Sequence, residues 1–143
     1  MEYSWIIYAL LSAVFAALVA IFAKVGLQDV DANLATTIRA AIMFVFLFVV
    51  IYFQGKLDLL PSFFNSKIAL FIFLSGIAGA LSWLFYFVAL KKGLVTGVVS
   101  IDRLSIVFAM VFALVFLNEK FTWNKIAGVI LIAIGAVIIA VDK

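Results

Sequence analysis

Five long apolar stretches alternate with short polar links along this chain. The first runs from about Ser4 to Ala23 and stops at Lys24, and the second covers about Leu34 to Tyr52. The third runs from about Lys67 to Leu90, ahead of Lys91 and Lys92; the fourth covers about Thr96 to Leu117 and the fifth about Lys125 to Val141. A run of about 20 apolar residues forms a helix long enough to cross the ~30 Å hydrocarbon core of a bilayer. Backbone polar groups in hydrocarbon need internal partners, so each span is a helix or belongs to a closed barrel. Barrel strands alternate polar and apolar residues, whereas Phe44 to Ile51 is continuously apolar. The pattern predicts an all-α, polytopic membrane protein of five transmembrane helices, a single domain over residues 1–143.

The links are short. Val25 to Asn33 contains Asp29 and Asp31. The longest, Phe53 to Ser66, holds Lys56, Asp58 and the only proline, Pro61; its Leu59–Phe64 segment is expected to lie in the membrane interface. Asn118-Glu119-Lys120 predicts a tight turn. Trp5, Tyr52 and Trp123 fall near span ends, where amphipathic rings anchor helices. The first run is longer than a signal-peptide core, has no Lys or Arg before it and reads as a retained helix.

Composition narrows the chemistry. Hydrophobic residues make up 69% of the chain and charged ones 12%, more apolar surface than a water-soluble domain of this length can bury. The absence of Cys and His removes disulfides, thiol catalysis, thiolate or imidazole metal sites and histidine proton relays. No cofactor or metal is expected. The +3 net charge forms no basic stripe outside the spans, so no nucleic-acid partner is expected. The expected surroundings are the lipid bilayer of a cell membrane, the inner membrane if the cell is bacterial.

Five spans place the termini on opposite sides. The N-terminal side carries Lys56, Lys67, Lys120 and Lys125, and the other carries Lys24, Lys91, Lys92 and Lys143. Orientation normally follows an excess of Lys and Arg in cytoplasmic loops, and these loops balance. Two readings follow. The first helix or the arginines fix one orientation, or copies insert both ways and pair as an inverted, antiparallel dimer. The second supplies the symmetric gates that inverted repeats give many transporters.

Arg39 and Asp102-Arg103 are the costly residues, since a charge near the bilayer centre costs about 2.5–3.5 kcal/mol on insertion scales. Arg39 lies about five residues into its span and Asp102 about six into its own, both from the same side, or roughly 8–9 Å deep. They are candidates for an ion pair, with Arg103 on a different helix face; snorkelling of both arginines to head groups is the competing reading. Asp102 is the deepest carboxylate and the candidate for proton coupling or cation recognition. Glu119 is expected to fix the turn, accepting from free backbone N–H groups that lead into the last helix. Small residues mark close helix contacts: Ser12, Ala16 and Ala20; Ser75 with Gly79; Gly76 with Ala80; Gly128 with Gly135; and Ala136 with Ala140. Ser82, Trp83 and Tyr86 either line a cavity for apolar or cationic ligands or face lipid.

The order of these features resembles the EamA family of the drug/metabolite transporter superfamily. Ser82-Trp83-Leu84-Phe85-Tyr86-Phe87-Val88-Ala89-Leu90 looks like its aromatic third span. Ser100-Ile101-Asp102-Arg103-Leu104-Ser105 resembles its polar start to the fourth. Leu114 to Leu117, Asn118-Glu119 and the run to Gly128 and Gly135 are similar to its turn glutamate and glycine-bearing last helix. Upstream, Lys24 and Thr36-Thr37-Ile38-Arg39 match its lysine after the first span and arginine-bearing start of the second. Most members resemble two such units fused, so a chain with one unit resembles the short five-span members and implies self-assembly. Ser100 stands where many members carry proline, and substrate inferences from proline-containing relatives do not transfer.

The resemblance implies a small-molecule transporter, an exporter of metabolites or drugs working by alternating access as a homodimer or with a related five-span partner. Arg39, Asp102, Arg103, Trp83 and Tyr86 are the substrate-binding or gating candidates. Gly76, Gly79, Gly128 and Gly135 are the helix-packing candidates. The alternatives are a non-transporting assembly subunit and a small multidrug exporter. Members of the latter family carry four spans and a glutamate within the first, and this first span has no acid. No nucleophile, acid and base come together, so an enzyme is not expected.

Overall fold

The computed structural model describes residues 3–64 and 68–142. The third span's expected start, Lys67, lies outside the described residues, as do Ser66, Glu2 and Lys143. Helices follow one another as α1 (Ser4–Gly26), α2 (Ala32–Phe53), α3 (Leu60–Phe64), α4 (Ile68–Lys92), α5 (Val95–Asp102), α6 (Ser105–Leu117) and α7 (Trp123–Val141). A single 3-10 turn, Leu57–Leu59, precedes α3. Five stretches are long and apolar enough to cross a membrane, with α5 and α6 together making the fourth. Their outward faces are apolar: Phe71 is 70% exposed and Phe116 74%. Such faces require hydrocarbon as solvent.

Helix ends depart from the sequence reading wherever a polar side chain continues a helix. Lys24 was expected to end the first span, yet α1 continues to Gly26. Its ammonium reaches the Gly93 carbonyl at 2.8 Å, so the charge is satisfied without unwinding the helix. Asp31 starts α2 earlier than expected, its carboxylate accepting from the backbone N–H groups of Asn33 and Leu34. Gly55 ends α2 with φ of 65°, a left-handed conformation. The Gly55 and Lys56 amides then donate back to Tyr52 and Ile51, closing the carbonyls of the last turn. The expected interfacial Leu59–Phe64 segment forms the short α3 and the end of the turn before it.

The fourth span is the main correction. The sequence predicts one helix from Thr96 to Leu117, but the helix breaks at Arg103 and Leu104. Here Leu104 donates to Ile101, Ile106 to Arg103 and Val107 to Leu104, each three residues back. The tighter pitch needs no proline. Ser100 donates its hydroxyl to the Thr96 carbonyl at 2.7 Å. That bond competes with the helical ladder one turn before the break. A short 3-10 stretch inside a helix is a recognised hinge position.

The chain divides into two compact units. One, residues 25–91, holds α2, α3 and most of α4. In it, Lys91 donates to the Val30 carbonyl at 2.7 Å and ties the end of α4 to the link before α2. The other unit holds most of α1 with α5, α6 and α7. There α5 packs along α7, and the Cα of Ala140 lies 3.9 Å from the position a Cβ would take at Gly97. That is ordinary van der Waals contact for one methyl group, and a larger side chain must pass the α7 backbone at Ala140. Gly97→Ala should leave the melting temperature in detergent unchanged or raise it. Gly97→Leu should destabilise by about 1–3 kcal/mol through overpacking, read as a lowered melting temperature.

Candidate functional site

Helical spacing assembles the principal site in the 25–91 unit. Trp83, Tyr86, Phe87 and Leu90 fall at the three- and four-residue intervals that bring side chains onto one face of α4. Trp83 meets Tyr86 edge to face at 5.4 Å between ring centroids and Phe87 at 6.0 Å. Phe87 is 3% exposed and Leu90 fully buried, so this end of α4 is packed while most of the helix faces outward. On α2, buried Ala32 and Thr36 precede Arg39 along one face. Thr36 donates its hydroxyl to the Ala32 carbonyl at 2.8 Å, which satisfies the one buried polar side chain of the described residues.

Arg39 crosses from that face to lie over Trp83, its guanidinium carbon 3.6 Å from the ring centroid and 5.7 Å from that of Phe87. A guanidinium is planar and weakly hydrated, so it stacks on an indole face, whose quadrupole attracts cations. The sequence offered Trp83 as a receiver of apolar or cationic ligands. The face is filled by the protein's own cation. Arg39, Trp83 and Tyr86, three of the five substrate-binding or gating candidates, thus come together within one unit.

Asp102 and Arg103 belong to the other unit. Asp102 ends α5 and Arg103 opens the break. Their side chains are 3.8 Å apart and half exposed, at the outer limit of an ion pair. An open pair of this kind contributes about 0–1 kcal/mol. The pair joins sequence neighbours at the end of α5, where Arg103 keeps right-handed helical dihedrals (φ −65°, ψ −14°).

Glu119 contributes to its turn through the backbone, donating its N–H to the Ala113 carbonyl at 3.2 Å. Asn118 before it adopts φ of 51°, the left-handed position asparagine tolerates at helix ends. Among the described residues the Glu119 carboxylate caps no amide of α7, whose N-cap is Thr122. It lines, with Lys125, an open and mostly apolar groove of about 460 Å³ between α6 and α7, beside Met110, Ala113, Gly128 and Ile132. A Cβ added at Gly76, Gly79, Gly128 or Gly135 would meet nothing within 4 Å among the described residues of its own unit. One added at Gly97 meets Ala140 instead.

Sequence reasoning missed Phe87 as the second ring near Arg39, Gly97 at the α5–α7 contact, and Lys24 and Lys91 as carbonyl donors. Phe87 was visible as the residue one turn beyond Trp83. The lysine partners lie 69 and 61 residues away, and no local pattern announces them.

Stacking of Arg39 predicts that Arg39→Gln lowers stability by about 0.5–2 kcal/mol. With Trp5 and Trp123 replaced by Phe, the same substitution should shift Trp83 emission; an unchanged spectrum would mean the guanidinium does not rest there.

Comparison with known proteins agrees with this architecture. The chain matches the EamA-like transporter family over residues 3–141. It is 42% identical over 141 residues to a Sinorhizobium sp. protein named "Uncharacterized transporter in cobO 3'region", covering 99% of both chains. No solved structure matches. With five membrane-crossing stretches and a family match along nearly its whole length, this multi-pass membrane protein belongs to the EamA-like transporter family.

Proposed function

We propose that the protein exports a small metabolite or drug across the cell membrane, the inner membrane in a bacterial cell, by alternating access as an inverted dimer. Arg39 with Trp83 and Tyr86 in one unit, and Asp102 with Arg103 in the other, line or gate the pathway. The observation that carries the reading is Arg39, a charge kept within a span by a ring stack in a chain of a transporter family. Intramembrane charges of this kind mark substrate or ion routes. The break beside Asp102 supports movement, because interrupted spanning helices form the binding sites of many transporters.

Dimer formation is supported by three features. One five-span unit offers few helices for an enclosed pathway with two gates. The loop lysines balance across the two sides. Gly76 and Gly79 of α4 and Gly128 and Gly135 of α7 leave open space at the Cβ position among the described residues of their own units, which suits faces that receive a second copy. The same open glycines favour a second reading, a non-transporting assembly subunit, which would move nothing as purified protein in liposomes.

Two experiments test the proposal. Glu2→Cys and Lys143→Cys can each be labelled in intact cells with an impermeant thiol reagent, since the chain has no other cysteine. Partial labelling at both ends, completed on lysis, is expected; labelling at one end alone would exclude the inverted homodimer and direct the search to an oppositely oriented partner chain. Asp102→Asn should reduce proton-driven transport by tenfold or more, on the order of the effect of removing one proton-transfer group. Unchanged transport would remove Asp102 from coupling.

A further inference from the structure

We propose that the in-plane edge of the Arg39 guanidinium, its face held on Trp83, is the recognition point for an organic monocarboxylate. The inference rests on the transport reading and narrows its substrate to a class. Stacking uses the face of the guanidinium, whereas its five N–H donors lie in the plane of the group. Among the described residues of the 25–91 unit, no hydrogen bond or ion pair engages those donors. The side chain is partly exposed, so they are within reach of a ligand. A carboxylate has the two-oxygen geometry that such a fork binds in parallel.

Charge balance selects the class. The described acids of this unit are Asp29, Asp31 and Asp58, all in links outside the spans. Asp31 is already engaged by two amides at the start of α2. A monoanion bound to Arg39 leaves no net charge in the span, while a dianion leaves one negative charge in low dielectric. An organic cation meets the reverse situation. The indole face that would attract it is filled, and the occupant repels it. Trp83 and Tyr86 beside the fork give the organic part of the anion an aromatic surface. A lipid head-group phosphate shares the oxyanion chemistry, so the test separates the two sources.

The full chain carrying Trp5→Phe and Trp123→Phe is placed in phosphatidylcholine nanodiscs, and Trp83 emission is read during titration with benzoate, benzylammonium or phenyl phosphate dianion. Saturable binding of benzoate, tightest of the three, is expected. Arg39→Gln should weaken it tenfold or more, as loss of a charge-assisted hydrogen bond does. Arg39→Lys keeps the charge and loses the fork, and should weaken benzoate by about tenfold without disturbing the fold. Benzoate affinity in Arg39→Gln and Arg39→Lys equal to that of the parent chain, or tighter binding of benzylammonium, would overturn the proposal. Phosphatidylglycerol nanodiscs identify the source of the oxyanion. Unchanged benzoate affinity there supports a solute carboxylate, whereas a Trp83 response to the lipid that benzoate cannot reverse assigns Arg39 to head groups and overturns it. Counterflow in proteoliposomes keeps the two levels apart. Flux of benzylammonium without benzoate overturns the carboxylate class and leaves transport standing. Saturable, Arg39-dependent benzoate binding without flux of any probe supports the site and overturns the transport reading.

Discussion

A polar group inside hydrocarbon must find its partner within the protein, and most of this structure follows from that requirement. Lipid tails are as apolar as the helix faces, so burying Leu or Phe between spanning helices gains little over leaving them in lipid. Specific contacts then decide where segments rest. Lys24 and Lys91 reach backbone carbonyls at helix ends, and Thr36, Thr37 and Ser100 return their hydroxyls to carbonyls one turn back. Arg39 has the largest charge problem within a span and meets it with an aromatic face.

The same constraint shapes a site. A guanidinium neutralised by an aspartate would be a closed structural pair, with little reason to bind a solute. A guanidinium held by a ring is positioned but remains charged. Trp83 and Phe87 lie beside the guanidinium, and the described acids of the 25–91 unit all lie in links outside its spans, which is the basis of the carboxylate proposal. In the other unit, Asp102 sits where the fourth span loses its regular ladder. A transporter needs both kinds of feature: a fixed recognition point and backbone that changes conformation at modest cost.

Much of the fold was legible in the sequence, because a membrane span announces itself by length and hydropathy. All five stretches long enough to cross were found from the apolar runs, and their ends shifted by a few residues, at two of them where a capping or snorkelling side chain extended a helix. Asp31 and Lys24 show this most clearly. The break at Arg103–Leu104 was not legible, since neither proline nor glycine stands there and the tightening arises from backbone hydrogen bonds three residues back. Arg39, Trp83 and Tyr86 were each singled out by residue type and depth. Their meeting was not, because α2 and α4 are joined by a long link and no periodicity states which faces oppose. The glycines illustrate the reverse case. A small-residue pattern gives a face able to receive a helix, but not whether that helix belongs to the same chain.

The account depends most on Arg39 lying against Trp83 when the protein is in a bilayer. The direct measurement is a dipolar-recoupling distance by solid-state NMR. The sample carries ¹³C-guanidinium arginine and fluorinated tryptophan in a chain with Arg103→Lys, Trp5→Phe and Trp123→Phe, so that each label occupies one position. The account predicts strong dephasing, placing the Arg39 carbon within about 6 Å of the indole ring. Absence of dephasing would mean that Arg39 points elsewhere in the membrane, and would contradict both the site and the anion selectivity built on it.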